Sequence, residues 1–321
     1  MKDIDPKKVH LYSIKDRVHK VQINQFSHLP KNVHNFSEWF NNLPDILAAG
    51  DFKAVVKAIV YAYEHKKPVI VMIGGHIIKC GVTPLLIDLM KRGIITGVVM
   101  NGSASIHDTE VAMIGQTSED VAKSLEDGTF GMVHETGDFI HAALKFGCSK
   151  GWGMGYSIGK SIQSKKLPNR SLSVLANGVQ LGLPITVHTA IGTDTIYQHP
   201  AVDGAVMGTT SLKDFHLFVE QISNLDDGGV LLNLGSAVIL PEVFLKALTI
   251  ARNLGYPVRN FVTCNFDMIQ HYRPRENVVS RPTRTGGKGY AITGHHELMI
   301  PLLYSSVMAI LEKKTTRSKK P

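Results

Sequence analysis

Val69-Ile70-Val71-Met72-Ile73-Gly74-Gly75-His76-Ile77-Ile78-Lys79-Cys80-Gly81 is the stretch on which the fold reading turns. Five consecutive apolar residues without alternation suit a strand buried on both faces, as in a parallel sheet. The two glycines and the polar residues behind them make a turn leading into a helix. Upstream, residues 51–63 begin with a capping aspartate and carry apolar side chains at three- and four-residue spacing, which predicts a helix. Downstream, 84–92 reads as the next helix and 97–100 as the next strand. The alternation continues with strands at 185–187, 204–207 and 230–234, and helices at about 211–222 and 241–253. A last strand at 260–264 precedes a long irregular stretch, and a helix over about 297–311 closes the pattern. Strands alternating with helices of this length specify an α/β fold: a doubly wound, mostly parallel sheet with helices on both faces. The expected organisation is a helical N-terminal extension (1–50), one α/β domain (51–312) and a basic tail (313–321).

Composition narrows the classes. Across 321 residues, 44% hydrophobic and 19% charged side chains exclude a disordered or collagen-like chain. Cys80, Cys148 and Cys264 are too few and too scattered for a disulfide framework and read as reduced thiols of a cytoplasmic protein. The longest apolar run, 68–73, falls far short of the ~20 residues of a membrane span, and residues 1–8 carry no secretory leader. The net charge of +8 gathers partly at the two ends. The basic tail holds no stacking aromatics, so neither nucleic acid nor membrane is expected as a partner.

In a doubly wound sheet, ligands bind outside the carboxyl ends of the strands. Four such ends carry small or polar residues: Gly74-Gly75-His76, then Asn101-Gly102-Ser103 leading to His107-Asp108, then His188 through Asp194, then Gly235-Ser236. Small residues there let backbone amides approach a phosphate. Glycine and serine are common in such turns, but four together, three beside a histidine or aspartate, point to a nucleotide-type ligand. The familiar G-x-G-x-x-G is absent after any strand. Gly153, Gly155 and Gly159 follow a helical segment and read as helix packing or a tight loop.

In order along about three-quarters of the chain, these motifs resemble the deoxyhypusine synthase family, whose fold is Rossmann-like and NAD-binding. Gly74 to Gly81 resembles that family's T-S-N-L-I-S-S-G turn, Met100 to Ala104 its T-T-A-G-G, and Gly192-Thr193-Asp194 its L-T-D. Leu234 to Ile239 resembles L-G-G-G-V-V, and Asn265-Phe266-Asp267 its E-F-D. A second likeness is to the deoxyhypusine-synthase-like domain of archaeal ornithine cyclodeaminases, through Ile106-His107-Asp108-Thr109-Glu110-Val111-Ala112. The resemblance implies NAD as cofactor, a homotetramer, and cofactor contacts at Gly75, His76, Asn101, Gly102, Ser103, Asp194, Gly235, Ser236, Asp267 and His295. It places His199 and Arg273 at the substrate.

The departures shape the chemistry. The family's catalytic lysine aligns with Leu240, which has no amine with which to form an imine. His199 and Gln270 stand where the family holds its polyamine with acidic groups, and Arg273, Arg275, Arg281, Arg284 and Lys288 lie close by in sequence. A small anionic substrate is therefore expected. Hydride transfer to or from NAD needs a general base, for which histidine is suited near neutral pH. His188 is the first choice, with His107 and His296 behind it. Asp194 and Asp267 suit ribose hydroxyls as acceptors. Two other classes stay open: a nucleotide-binding sensor or subunit without turnover, and a hydrolase whose metal is held by histidine and aspartate. No H-E-x-x-H spacing is present, so no metal ligand is assigned. His10, His19, His28 and His34 read as surface residues of the extension.

Overall fold

The structure is a computed structural model that describes residues 23–25, 27–29 and 35–318, with side chains through residue 313. Residues 1–22, part of the expected N-terminal extension with His10 and His19, lie outside the described residues, as do His34 and the tail from 319. His28 is exposed.

Six strands form one all-parallel sheet: β1 (Val69–Ile73), β2 (Gly97–Asn101), β3 (Ile185–His188), β4 (Val230–Leu234), β5 (Val262–Asp267) and β6 (Lys288–Thr293). Their spatial order is β3-β2-β1-β4-β5-β6, so the winding reverses between β1 and β4. Among the described residues thirteen α-helices accompany them in chain order. They are α1 (Phe36–Asn41), α2 (Leu47–Glu64), α3 (Gly75–Lys79), α4 (Thr83–Lys91), α5 (Gly102–Ile114), α6 (Val121–Glu126) and α7 (His134–Ser149). Then follow α8 (Met154–Ser164), α9 (Val174–Leu181), α10 (Gly204–Ser223), α11 (Ile239–Asn253), α12 (Tyr272–Pro274) and α13 (His296–Ser318). The period-two alternation of strand side chains divides the core between two faces. Val69, Val71 and Ile73 pack with α2, α4 and α13, whereas Ile70 and Met72 pack with Phe218 of α10 and Phe244 of α11.

The chain departs from the sequence expectation in three strand assignments. Residues 204–207 are the first turn of α10, not a strand: the Asp203 carboxylate accepts from the Ala205 and Val206 amides and starts a helix there. The stretch expected to be irregular contains β6, whose alternating exposure (Tyr290 and Ile292 buried, Ala291 and Thr293 exposed) is that of an edge strand. The strand foreseen at 260–264 runs instead over Val262–Asp267. Its centre holds a polar pair, in which the Asn233 amide donates to Asn265 Oδ1 at 2.6 Å. Asn265 donates in turn to Gln270 Oε1 at 2.7 Å, and Gln270 Nε2 to the Ile292 carbonyl at 3.1 Å. Gln270 therefore ties β5 to β6.

Gly155 and Gly159 are packing glycines, as expected: a Cβ on them would stand 2.7 Å from the Ile185 carbonyl oxygen and 2.5 Å from that of Leu175. Two buried aspartates fix the elements around β3. Asp214 on α10 accepts from the Gly155 amide at 2.8 Å and the Val187 amide at 2.7 Å, and burial pushes its carboxyl up to about 7. Asp108 on α5 accepts from Ser173 Oγ and from the Val174 and Leu175 amides at 2.6, 2.7 and 3.2 Å. It thus serves as a second cap on α9.

Candidate active site

At the reversal between β1 and β4 the two turns are in backbone contact. The Gly74 amide donates to the Leu234 carbonyl at 2.9 Å, and a Cβ on Gly74 would lie 2.1 Å from the Gly235 oxygen. Only glycine fits there. Gly235 itself has φ +66°, and its Cβ position lies 2.8 Å from His296 Nε2. Ser236 is buried, with its Oγ accepting from the Leu240 amide at 3.2 Å, while Asp267 at the end of β5 comes within 4.0 Å of His296. Gly75, His76, Gly235, Ser236, Asp267 and His296 therefore form one group at the rim. His295 stands off it, 61% exposed.

The β2 turn is already furnished with acceptors. Asn101 Oδ1 takes the Ala104 amide at 2.9 Å, and the Asp194 carboxylate takes the amides of Ala190, at 2.7 Å, and of Ser103. That carboxylate also fills the space beside Gly102, 2.2–2.4 Å from where a Cβ would be. Burial holds the Asp194 carboxyl above its ordinary range, partly opposed by those two amides. The expectation that Asn101, Gly102 and Ser103 offer free amides to a phosphate thus gives way to a helix start capped by the protein's own side chains. Asp194 is committed to that cap rather than to a ribose.

Beside this turn, under α5, α6 and α7, opens a cavity of about 450 Å³. Ser103, His107, Asp194 and His199 line it, together with Lys79, Glu110, Thr117, Glu119 and Thr136. Gly75 joins it to the rim, since its Cβ position lies 2.3 Å from Ser103 Oγ and 3.2 Å from the His107 ring. Thr117 donates its hydroxyl to Glu110 Oε2, so its oxygen accepts the Nδ1 proton of His107 at 2.6 Å. The network thereby assigns His107 the tautomer with Nε2 as a lone-pair acceptor. Burial pushes the Glu110 carboxyl up, but the nearby His107 ring and the bonds from Thr117 and Thr136 outweigh it and hold Glu110 below its ordinary range. His199 carries the opposite tautomer: its Nδ1 accepts from the Ala201 amide at 3.1 Å, leaving N–H at Nε2, 3.6 Å from Asp138. Gly137 admits the His199 ring, which a Cβ there would meet at 2.2 Å, and His141 stacks against it. One cavity therefore holds an imidazole acceptor and an imidazole donor.

His188 is not among the lining residues. It is 4% exposed, its ring lies 5.5 Å from that of Phe218, and Nε2 meets Thr186 Oγ1 at 3.0 Å. Burial lowers its pKa to about 3, so it stays neutral in the core and is not placed to exchange protons with a ligand. Arg273 also lies elsewhere, half exposed and 3.5 Å from Glu242. Arg281 is engaged by Asn277 at 2.7 Å. With those arginines outside and three carboxylates inside, the cavity does not present the anion site expected from sequence.

His188 and Asp214 titrate with opposite signs. The His188 pKa lies below its ordinary 6.5, so its contribution is full above pH 6.5 and is lost as pH falls toward 3. The Asp214 pKa lies above its ordinary 3.8, so its contribution is full below pH 3.8 and is lost as pH rises to about 7. His188→Gln is expected to make the acid loss of stability between pH 6 and 4 shallower, by up to ~1.4 kcal/mol per pH unit. Asp214→Asn is expected to make that loss steeper. Urea midpoints across this range would check both; equal slopes in all three proteins would refute the assignment.

Glu110, Thr117 and Lys79 were not foreseen. The i,i+3 spacing of His107 and Glu110 on α5 was a readable signal, because such residues share a helix face. Thr117 comes after the Gly115 cap, where φ is +71° and no helical periodicity reaches.

No protein-family model and no curated protein matches the chain. Solved structures do. A conserved LOR/SDH protein from Methanococcus maripaludis S2 superposes with a TM-score of 0.51 at 14% identity, over 83% of this chain and 71% of that one. AgrE in ternary complex with ornithine and NAD+ gives 0.53 at 12% identity, over 84% of this chain and 34% of AgrE. A deoxyhypusine synthase homologue from Entamoeba histolytica gives 0.51 at 9% identity, over 86% and 94%. The chain spans about a third of the length of AgrE. With a six-stranded parallel sheet in 3-2-1-4-5-6 order, this chain has a Rossmann-like α/β fold, shared with these three solved structures.

Proposed function

We propose that the protein is an NAD-binding enzyme in which the cofactor lies along the β1–β4 rim and hydride transfer occurs at the mouth of the α5–α7 cavity. The observation that carries this reading is the His107–Thr117–Glu110 chain in a cavity adjoining the sheet's reversal point. His107 Nε2 takes the proton that must leave the substrate's oxygen or nitrogen, and Thr117 and Glu110 hold the ring and stabilise the imidazolium that results. His199, with N–H at Nε2, orients or reprotonates the same molecule. NAD supplies the hydride acceptor when bound. Gly74, Gly75 and Gly235 keep the rim free of side chains, where the cofactor's backbone-like diphosphate could approach most closely.

Lys79 faces Glu110, Glu119 and Asp194 around one small cavity, which suits a molecule bearing both a carboxylate and an ammonium group better than a pure anion. AgrE, on the same fold, binds ornithine together with NAD+. Leu240, wholly buried among Phe218 and Phe244, supports a reaction without the lysine imine. The same leucine, with the capped β2 turn, favours a second reading: nucleotide binding without turnover. A cytoplasmic location and a homotetramer belong to this proposal by the family resemblance; among the described residues no helix is long and apolar enough to cross a membrane.

Thermal unfolding with NAD, NADH, NADP and ADP-ribose tests the reading. A nucleotide at 100 times its Kd stabilises by about 2.7 kcal/mol and raises Tm measurably. Absence of any shift at millimolar concentration of all four would overturn it.

A further inference from the structure

Beside the rim, His76 and Cys80 meet Glu297 from the first turn of α13, and the candidate ligand atoms of the three all lie within 4.8 Å of one another. We propose that His76, Cys80 and Glu297 form a binding site for a divalent transition-metal ion of the zinc class. The inference does not rest on nucleotide binding.

His76 and Cys80 are four residues apart at α3 and its C-cap, so they lie on one helical face. Cys80 Sγ donates to Glu297 Oε2 at 3.5 Å across a separation of 217 residues, so the thiol proton sits where an ion would replace it. Zinc bonds of about 2.0–2.3 Å to nitrogen, sulfur and oxygen set ligand atoms roughly 3.3–3.8 Å apart in a tetrahedron. The three atoms therefore need to close by only about 1 Å. His76 and Glu297 are exposed and can turn to do so. One nitrogen, one thiolate and one carboxylate select zinc, cobalt or iron over calcium or magnesium, which take oxygen ligands.

A neighbouring group adds to the case. His296, next to Glu297, is 1% exposed, and its Nδ1 has no hydrogen-bond partner among the described residues. Its ring lies 5.9 Å from that of His76. Burying an imidazole nitrogen without a partner costs about 1–3 kcal/mol. His296 lies outside the group of three, and its ring would have to move toward His76 to become a fourth ligand. Otherwise the fourth position stays open to water or to a small molecule, the arrangement of catalytic zinc sites. Either way the ion would join α3 to α13 and hold both against the rim.

The test is a cobalt(II) titration of metal-free full-length protein without nucleotide, followed in the near-ultraviolet band of cobalt–thiolate charge transfer. One equivalent is expected to develop the band, zinc to abolish it by displacement, and Cys80→Ala to lack it. Cys148→Ala is expected to keep it. Glu297→Gln should retain the band while weakening binding by at least about 10-fold, because a neutral amide oxygen replaces an anionic ligand. Circular dichroism checks that Cys80→Ala is folded. If that variant does not fold, Glu297→Gln decides alone, and an unchanged affinity overturns the site. No band with several equivalents of cobalt, or a band that survives Cys80→Ala in folded protein, overturns it as well.

Discussion

Asp108→Ala is expected to lower the unfolding free energy by about 3–5 kcal/mol, because it strips three buried donors of their only acceptor at one stroke. The Asp108 carboxylate receives Ser173 Oγ, Val174 N and Leu175 N, and all four residues are buried. Alanine leaves a hydroxyl and two amides unpaired where water does not reach, each at about 1–3 kcal/mol before relaxation. The loss is a large part of the ~5–15 kcal/mol by which a native protein exceeds its unfolded state. Asp108→Asn keeps the shape and one acceptor oxygen, so roughly half the penalty is expected. Burial pushes the Asp108 carboxyl up to about 6 against its three hydrogen bonds, so the comparison belongs at pH 7.5, where the group is ionised. Chemical unfolding of the three proteins at that pH would decide. An alanine variant within 1 kcal/mol of the parent would mean that α9 finds its cap elsewhere.

His107→Gln is expected to reduce turnover by about 10²–10⁴-fold while nucleotide affinity changes little. Glutamine can still donate to Thr117, so the Thr117–Glu110 pair keeps a partner and the cavity its shape. What disappears is the nitrogen that can accept and hold a proton. Thr117→Val makes the complementary point. It removes the hydroxyl between ring and carboxylate, freeing the imidazole to rotate and to change tautomer. An intermediate loss of about 10–100-fold in turnover is expected, because the ring is no longer held in one orientation and tautomer. Once a substrate is in hand, steady-state rates across pH separate these outcomes. Full activity in His107→Gln, with nucleotide binding intact, would leave the non-catalytic reading standing.

Much of this architecture was legible because burial on both faces leaves an unmistakable trace. Runs such as Val69–Ile73 and Val230–Leu234 have no polar alternation, and each is followed by a glycine that a crowded turn requires. Edge and polar strands leave less. In β6 half the side chains face solvent, and β5 carries Asn265 at its centre, paired to Asn233 in a way that no local pattern announces. The error at 204–207 has a related origin: a short apolar run does not distinguish strand from helix, and the deciding residue was the capping Asp203 before it. For the site, position at a strand end was readable but direction was not. His188 ends β3 as expected, yet pleating sends its ring toward Phe218. His107 lies in the second turn of α5, past the β2 end, and lines the cavity. Asp194 was recognised as a rim carboxylate, and only tertiary placement reveals that it serves the start of α5.

The carboxylate of Asp214 carries one more implication. In β3, at the margin of the sheet, the outward amide of Val187 already has its acceptor in that side chain. A strand from another molecule would find its docking bond there already taken by the protein's own side chain. Pairing of a second sheet across that border is thereby disfavoured.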